Sequence, residues 1–365
     1  MSDVPLVSAI VNNYTYGRFL REAIDSALYQ TYPRVEVVVV DDGATDDSRR
    51  IISGYGYRVT SVFKENGGQA SAFNVGFAAS RGEIVIFLDA DDYLLSGAAE
   101  RVAATWGHDV SVVQYRLELV DAMGNPTELF YPPPKMTMAS GEVWRVLLEK
   151  GYYLFPPTSG NGIVRAVLEP ILPMPEDEWR ISADRYLATL APFYGLVASV
   201  EEALGAQRMH AGNLFSLTAI NSENFRAFVR QELQEQALLI CKANELGYET
   251  THHLSLSNYV HLQHRISSLR LNPQKHLVPL DHSLSLVYRG VRAVWRYSEH
   301  DWRKRLLLSA WFIWVGLLPL LVAKLAIAWL FTPENRPRIV EWIRDTMWSF
   351  KMALTTTARA LCTTI

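Results

Sequence analysis

The run Ile84-Val85-Ile86-Phe87-Leu88 is followed at once by Asp89-Ala90-Asp91-Asp92. Five apolar residues in succession suit a strand buried on both faces, as in a parallel sheet sandwiched between helices. Ligands bind at the C-terminal ends of such strands in open α/β sheets. Carboxylates packed this closely repel one another unless a cation or hydrogen-bond donors compensate. A divalent metal beside a phosphate-bearing ligand is one compensating arrangement. A solvated turn with helix-capping aspartates is the plainer one.

The same rhythm of strand, turn and helix runs through the first hundred residues. Leu6 to Val11 reads as a buried strand, and Arg18 to Tyr29 carries helical spacing through Leu20, Ala23, Ile24, Ala27 and Leu28. Val35 to Val40 is a second strand that ends in Asp41-Asp42-Gly43, and Asp46 to Ser53 is a short helix. Arg58 to Phe63 is a third strand, and Gly67-Gly68-Gln69 leads into a helix over Ala70 to Ala79. Strands interleaved with helices predict an α/β fold with a doubly wound, mostly parallel sheet. Residues 110 to 200 are more mixed, punctuated by Pro132-Pro133-Pro134 and Pro156-Pro157. Asn221 to Tyr297 is mainly helical in pattern.

Net charge is −3 over 365 residues, which argues against bulk nucleic-acid binding. Two cysteines, Cys241 and Cys362, lie far apart and suggest neither a disulfide framework nor a zinc site. The first residues move directly into the strand pattern, so no leader peptide is expected.

The last sixty residues differ from the rest. Arg289, Arg292, Arg296, Arg303, Lys304 and Arg305 form a basic run rich in Trp and Tyr. Leu306 to Ala323 follows without a charged residue, a length that reaches the threshold for a transmembrane helix. Pro319 and Lys324 oppose that reading, as do Arg336, Arg338, Arg344 and Lys351, which a single crossing would put on the non-cytoplasmic side. Residues 338 to 354 are amphipathic, with Ile339, Ile343, Met347, Phe350 and Leu354 on one face. A monotopic or re-entrant seat on the membrane is expected, with anionic headgroups drawn to the basic run. An oligomer-forming pair of helices is the alternative use of such a segment.

In a parallel sheet the strand tips Asn12-Asn13-Tyr14, Asp41-Asp42 and Asp89-Ala90-Asp91-Asp92 open on one edge. That rim is unsuited to a bare anion. It suits a base with N–H donors, a ribose with hydroxyls and a diphosphate bridged by metal, the parts of a nucleotide diphosphate sugar. Gly67-Gly68 allows a close backbone approach to a ligand, although the dinucleotide fingerprint has no match. The loop Pro156 to Asn161 offers Ser159 and Asn161 as contacts to donor sugar or acceptor, or as loop caps.

The segments Val7 to Tyr14, Val40 to Asp46, Asn66 to Ala70, Asn74-Val75-Gly76, Gly82-Glu83 and Leu88 to Asp92, in that order and spacing, resemble the family 2 glycosyltransferases of the GT-A fold. The resemblance spans roughly residues 5 to 215. It implies a Rossmann-like sheet with helices on both faces and an inverting transfer from a nucleotide diphosphate sugar. By motif position it implies that Asp42 reads the N–H edge of a base, uracil or a similar pyrimidine. Tyr14 then packs near the base, and Asn12 sits in the same turn. Gln69 falls among the substrate-binding residues. Asp91 takes the ribose and Asp92 the metal, with Asp89 close by.

Ile181 to Leu187 resembles the motif in which an acidic residue starts a helix under the sugar. Ala183 stands where many relatives carry Glu, and only Asp184 is retained, so Asp184 is the expected general base. Gln207 to Asn213 resembles the family's His-x-x-Asn segment, which implies His210 at the metal or diphosphate. Mn²⁺ or Mg²⁺ is the implied cofactor. The Gln-x-x-Arg-Trp motif of processive relatives is absent, which favours one sugar per encounter.

The expected organisation is a donor half over residues 1–105, an acceptor half over 106–220, a helical extension over 221–300 and membrane-association helices over 301–365. The expected acceptor is a saccharide, polyprenyl-diphosphate-linked, met by a peripheral enzyme on the cytoplasmic face of the membrane for surface polysaccharide assembly. Membrane lipid, and a second copy of the chain, are the further expected partners. Two alternatives stay open: a non-catalytic nucleotide-sugar-binding subunit, and a sugar nucleotidyltransferase.

Overall fold

Apolar runs that alternate between two buried faces build the centre of the molecule. A computed structural model describes residues 4–210, 221–249, 257–298 and 300–332. Strand β1 is Val7–Asn13, followed by helix α1 over Gly17–Leu28, β2 over Val35–Asp42, α2 over Ser48–Ser53 and β3 over Thr60–Lys64. Then come α3 over Gln69–Ala79, β4 over Ile84–Asp89, the short β5 at Tyr93–Leu94 and α4 over Ala98–Thr105. The elements from β1 to β4 match the sequence reading to within a few residues at each end, while β5 and α4 have no counterpart in it.

The second half of the sheet uses β6 over Val110–Val120, β7 over Pro126–Tyr131, β8 over Asn161–Val164 and β9 over Leu196–Arg208. Between these strands lie helices α5 over Val143–Lys150, α6 over Arg165–Leu168 and α7 over Ala183–Leu190. One nine-stranded sheet results, in the order β3-β2-β1-β4-β8-β6-β9-β5, with β7 added beside β6. The expectation of a mostly parallel sheet holds only for β3-β2-β1-β4. Strand β8 runs antiparallel to both β4 and β6, and β5 and β7 are also antiparallel to their partners. Only β6 with β9 restores a parallel pair. The sheet is mixed because β8 enters between β4 and β6 in the opposite direction to both.

Period-two alternation divides the core. Val7, Ala9 and Val11 of β1, with Ile84, Ile86 and Leu88 of β4, pack under α1 and α4. Ile10, Val38, Val40, Val85 and Phe87 face the other way, toward Phe73 of α3 and Tyr186 and Leu187 of α7. Helix α1 buries Phe19, Leu20, Ala23, Ile24 and Ala27 on one stripe. Each such large side chain contributes about 1.5–3 kcal/mol on burial. Register does the rest: Asn12 pairs with Asp89 and Asn13 with Asp41, so the polar tips of three strands end level.

The chain divides into two compact units. The described residues of the first are 4–210 and 235–249, and those of the second are 221–234 and the residues described between 257 and 332. Helix α8, Ser222–Glu245, gives its N-terminal half to the second unit and its C-terminal half to the first. The second unit adds α9 over Tyr259–Leu271, α10 over Ser283–Tyr297, α11 over Trp302–Leu317 and α12 over Leu320–Phe331. Its core contains Phe225, Leu262, Ile266, Leu286, Trp311, Phe312 and Ile327. Gly290 of α10 lies against the Phe312 ring and Gly316 of α11 against Val287, so these two helices run antiparallel at close range. A Cβ at Gly290 would come within 2.3 Å of that ring.

The uncharged stretch from Leu306 to Ala323 is not one span. It breaks at Leu318 and Pro319 between α11 and α12, because proline cannot continue the hydrogen-bond ladder. No helix of the described residues is long and apolar enough to cross a membrane. The amphipathic segment expected over 338–354 lies outside the described residues.

Candidate active site

The acidic loop at the end of β4 is wired by different partners at each carboxylate. Asp89 Oδ1 accepts from Asn12 Nδ2 at 2.8 Å and from Gln69 Nε2 at 3.4 Å. Its backbone N–H donates to Ser159 Oγ at 3.2 Å. Burial, then the nearby Asp91 carboxylate, pushes the Asp89 carboxyl up to about 7.

Asp91 Oδ2 lies 3.0 Å from His210 Nε2. The imidazole sits on the aromatic ledge of α1, with its ring 5.1 Å from Phe19 and 5.6 Å from Tyr16, centroid to centroid. His210 and Asp91, distant in sequence, are brought together, whereas the sequence reading gave Asp91 to the ribose and paired His210 with Asp92 at the metal.

Asp92 differs. It is 4% exposed, Oδ2 accepts from Ser159 Oγ at 2.7 Å, and Oδ1 accepts from the Arg208 backbone N–H at 3.0 Å. Burial, then Asp91 and Asp89, holds its carboxyl well above the usual range. This geometry departs from the expectation that Asp92 is the metal ligand, because its oxygens are turned inward onto the protein.

Asp42 departs from expectation for the same reason. Oδ1 accepts from Lys64 Nζ at 2.6 Å and Gly67 N at 2.8 Å. Oδ2 accepts from Asn66 Nδ2 at 3.1 Å and Gly68 N at 2.7 Å. A carboxylate offers about four lone-pair sites, and all are filled. Asp42, 3% exposed, anchors the turn before α3 instead of facing a base. Gly68 has φ +87°, and a Cβ there would lie 2.4 Å from Arg180, so the close approach made by this turn is to the protein itself. Tyr14, in contrast, keeps an open ring, 50% exposed.

Gln69 joins the two halves. Its Oε1 accepts from the Ala183 N–H at 2.9 Å, and its Nε2 also reaches Thr158 Oγ1 at 3.3 Å. Ala183 is the first residue of α7, so Asp184 enters the site on the first turn of that helix. Ser182 before it takes the left-handed conformation, φ +67°, which turns the chain into the helix. Asp184 lines a small cleft with Phe73, Phe87, Tyr153, Thr158 and Asn161. Burial raises its carboxyl above the ordinary range, with Arg185 opposing. Asn161 donates to the Pro156 and Pro157 carbonyls at 3.2 and 2.9 Å, which is the loop-cap role. It still presents an edge to the Asp184 cleft. Asn12 spends its amide on Asp89 and on the Leu88 carbonyl at 3.2 Å.

Arg208 was missed by sequence reasoning. It is 2% exposed at the end of β9. Its Nε donates to the Asp91 carbonyl at 3.0 Å, its guanidinium pairs with Glu22, and it lies 4.6 Å from the Phe19 ring centroid. A basic residue two positions before the metal-motif histidine was the available signal. Ser159, Thr158 and Tyr16 also belong to the site's support.

The donor set accords with a hard divalent cation. Asp91 Oδ2 and His210 Nε2, 3.0 Å apart, are an oxygen and an imidazole nitrogen that could both serve such an ion. Among the described residues no group of three or more His, Cys, Asp or Glu is placed to hold an ion alone. An ion held there would complete its shell with phosphate and water.

A parallel half-sheet ending in this acidic loop, continued by a mixed half that carries an acidic helix start, defines the GT-A class of fold. The family model for glycosyl transferase family 2 matches residues 8–154. An uncharacterized glycosyltransferase of Nostoc sp. is 37% identical over 238 residues, covering 63% of this chain and 71% of the relative. The uncharacterized glycosyltransferase EpsJ of Bacillus subtilis is 40% identical over 102 residues, 27% of this chain and 30% of EpsJ. Among solved structures, S. aureus TarS 1–349 in complex with UDP-GlcNAc superposes with a TM-score of 0.50 at 18% identity, covering 91% of this chain and 92% of that one. This chain belongs to glycosyl transferase family 2 and is a glycosyltransferase. The nucleotidyltransferase alternative is set aside by that membership.

Proposed function

We propose that the enzyme moves a sugar from a nucleotide diphosphate sugar to a hydroxyl of a saccharide acceptor, by single displacement with inversion. The observation that carries this reading is Gln69, whose amide donates to Asp89 Oδ1 and accepts from the N–H of Ala183, the residue before Asp184.

In this reading Asp91 and His210 hold Mn²⁺ or Mg²⁺. An ion held there would supply positive charge beside the diphosphate. Asp89, fixed by Asn12, accepts from the ribose hydroxyls, and the exposed Tyr14 ring stacks on the base. Asp92 and Asp42 shape the loops that carry these groups. Asp184 takes the proton of the acceptor hydroxyl as the oxygen attacks the anomeric carbon from the face opposite the diphosphate. The raised affinity of its carboxyl for a proton brings the base closer to the pH at which it works.

The donor is a UDP-sugar in this proposal, which is also the class of ligand in the TarS complex. The acceptor is a lipid-linked saccharide, polyprenyl-diphosphate-bound, and the enzyme meets it as a peripheral protein on the cytoplasmic face of the membrane during surface polysaccharide assembly. The apolar α11 and α12 with their basic flank motivate that part of the reading.

A donor screen tests it. Release of nucleotide diphosphate from UDP-, GDP- and dTDP-sugars is followed with and without Mn²⁺. The expected result is metal-dependent turnover of a UDP-sugar, lost by about a hundredfold or more in Asp184→Asn. A product of retained configuration, or full transfer by Asp184→Asn, overturns the mechanism. Nucleotide-sugar binding without any turnover would instead mark a non-catalytic binding subunit.

A further inference from the structure

Helix α11 is apolar on both sides, although only one side is covered. Leu308, Trp311, Phe312 and Val315 point into the core of the helical unit. On the other side Leu306, Leu307, Ile313, Trp314 and Leu317 stand exposed. The exposure continues over the turn into α12, where Leu320 is exposed and Leu321 is 80% exposed. A helix facing water carries polar residues on its outward stripe, and a contiguous apolar stripe marks a binding surface.

The edge of this stripe has a definite chemistry. Trp302, Arg303 and Lys304 form the first turn of α11, all exposed. Asp301 is engaged in capping that turn, accepting from the Arg303 and Lys304 N–H groups at 2.8 and 3.0 Å. Helix α10 shows an outward stripe of Leu284, Tyr288, Arg292, Trp295 and Arg296. The Trp295 indole N–H donates to Ser309 Oγ at 3.0 Å, which fastens the end of this stripe to α11. From residue 282 to 332 the sequence carries Arg289, Arg292, Arg296, Arg303, Lys304, Arg305 and Lys324 against only Glu299 and Asp301. Exposed leucines beside Trp, Tyr and a one-sided cationic rim are the complement of an acyl-chain boundary topped by anionic headgroups.

Length decides how such a surface engages. Sixteen residues of α11 rise ~24 Å and twelve of α12 ~18 Å, both short of the ~30 Å hydrocarbon layer. We infer that the outward faces of α11 and the start of α12 lie in the plane of an anionic lipid leaflet, with Leu306, Ile313, Leu317 and Leu321 among the acyl chains and Arg303, Lys304, Arg292 and Arg296 at the headgroups. This deepens the peripheral-membrane part of the proposed function by naming the surface and the lipid charge it selects.

Flotation of the full chain with vesicles tests the inference. Vesicles of phosphatidylcholine alone are compared with vesicles that also contain phosphatidylglycerol. Binding to the anionic vesicles is expected to be at least about tenfold tighter. Ile313→Ser with Leu317→Ser should abolish it, and Arg303→Gln with Lys304→Gln should remove the preference for anionic lipid. All four residues are exposed, and circular dichroism checks that the variants fold. Absence of flotation by the parent chain overturns the inference, as does undiminished flotation by the serine variant. If the serine variant instead converts a dimer to a monomer and vesicles are ignored, the face is a contact between copies and the inference also falls. UDP release measured on the same samples keeps the two readings apart. Turnover without flotation sinks only the membrane seat, and flotation without turnover sinks only the transfer reaction.

Discussion

Asp91 and its neighbour Asp92 take different partners from one loop: Asp91 Oδ2 meets His210 Nε2 at 3.0 Å, while Asp92 Oδ2 accepts from Ser159 Oγ at 2.7 Å. Two adjacent buried carboxylates thus have different partners, an imidazole for one and a hydroxyl and a backbone N–H for the other. The division is set by the tight turn after β4, where the Asp92 N–H returns to the Asp89 carbonyl at 3.0 Å.

The first prediction separates these two residues. Asp91→Asn should lower kcat/KM by about 10²–10³-fold and weaken Mn²⁺ binding, read by electron paramagnetic resonance. Asp92→Asn should retain most Mn²⁺ binding, because an amide resembles the protonated carboxyl that burial favours there. Asp92→Ala, which leaves Ser159 and the Arg208 N–H without their acceptor, should cost about 1–3 kcal/mol in stability. The reverse pattern of metal binding would return the ligand role to Asp92.

Arg208 carries the second prediction. Its guanidinium reaches the Asp91 carbonyl and Glu22, and its backbone N–H reaches Asp92, so one residue pins the acidic loop to β9 and α1. Arg208→Met should reduce stability by about 2–3 kcal/mol and loosen Mn²⁺ binding together. Glu22→Gln removes only the half-exposed end of the pair and should cost less than about 1 kcal/mol. Thermal denaturation with and without Mn²⁺ checks both. Equal effects of the two substitutions would place the role of Arg208 in the ion pair alone.

Asp184 links pH to stability and to rate. Burial raises its folded-state carboxyl above the unfolded value, so the folded state binds the proton more tightly. The stabilising contribution is complete below the unfolded value of about 3.9 and is lost as pH rises through the folded one. Asp184→Asn removes that loss, so the variant should be more stable than the parent at pH 8 and similar at pH 4. Transfer should show the opposite preference, rising with pH as the base loses its proton and staying flat in the variant. Melting temperatures and rates over pH 4–9 decide it; a variant less stable than the parent at pH 8 would contradict the assigned burial cost.

The strands near the N-terminus were legible because each is a short apolar run with its own turn signal, as in Val35 to Val40 before Asp41-Asp42. Strands β6 and β9 were not. Their pairing joins residues some eighty-five positions apart, such as Gln114 with Ser199, and their register shifts near Tyr115 and Arg116, where no local pattern applies. In the site, the residue types were legible and their orientations were not. Asp42 and Asp92 have the right chemistry for a ligand, yet their environment supplies four donors to one and buries the other. Which side of a strand-end turn a carboxylate faces depends on backbone geometry that spacing does not encode. Arg208 was hidden because its partners Glu22 and Asp91 come from distant segments.

Gln69 provides the last prediction, since one amide spans both halves of the chemistry. Its oxygen holds the Ala183 N–H at 2.9 Å, while its nitrogen lies between Asp89 Oδ1 and Thr158 Oγ1 at 3.4 and 3.3 Å. Both groups of the amide are needed, one accepting and one donating. Gln69→Ala should release the start of α7 and lower kcat about tenfold through a displaced Asp184, with donor KM and Mn²⁺ binding nearly unchanged. Gln69→Glu keeps the acceptor for Ala183 but sets a carboxylate against Asp89, so it should disturb donor binding as well. Gln69→Asn is one methylene too short to span the gap and should resemble Ala. Separate measurement of kcat, donor KM and Mn²⁺ affinity for the three variants tests the scheme. A loss confined to Mn²⁺ affinity in Gln69→Ala would mean that Gln69 serves the acidic loop and leaves the base helix unaffected.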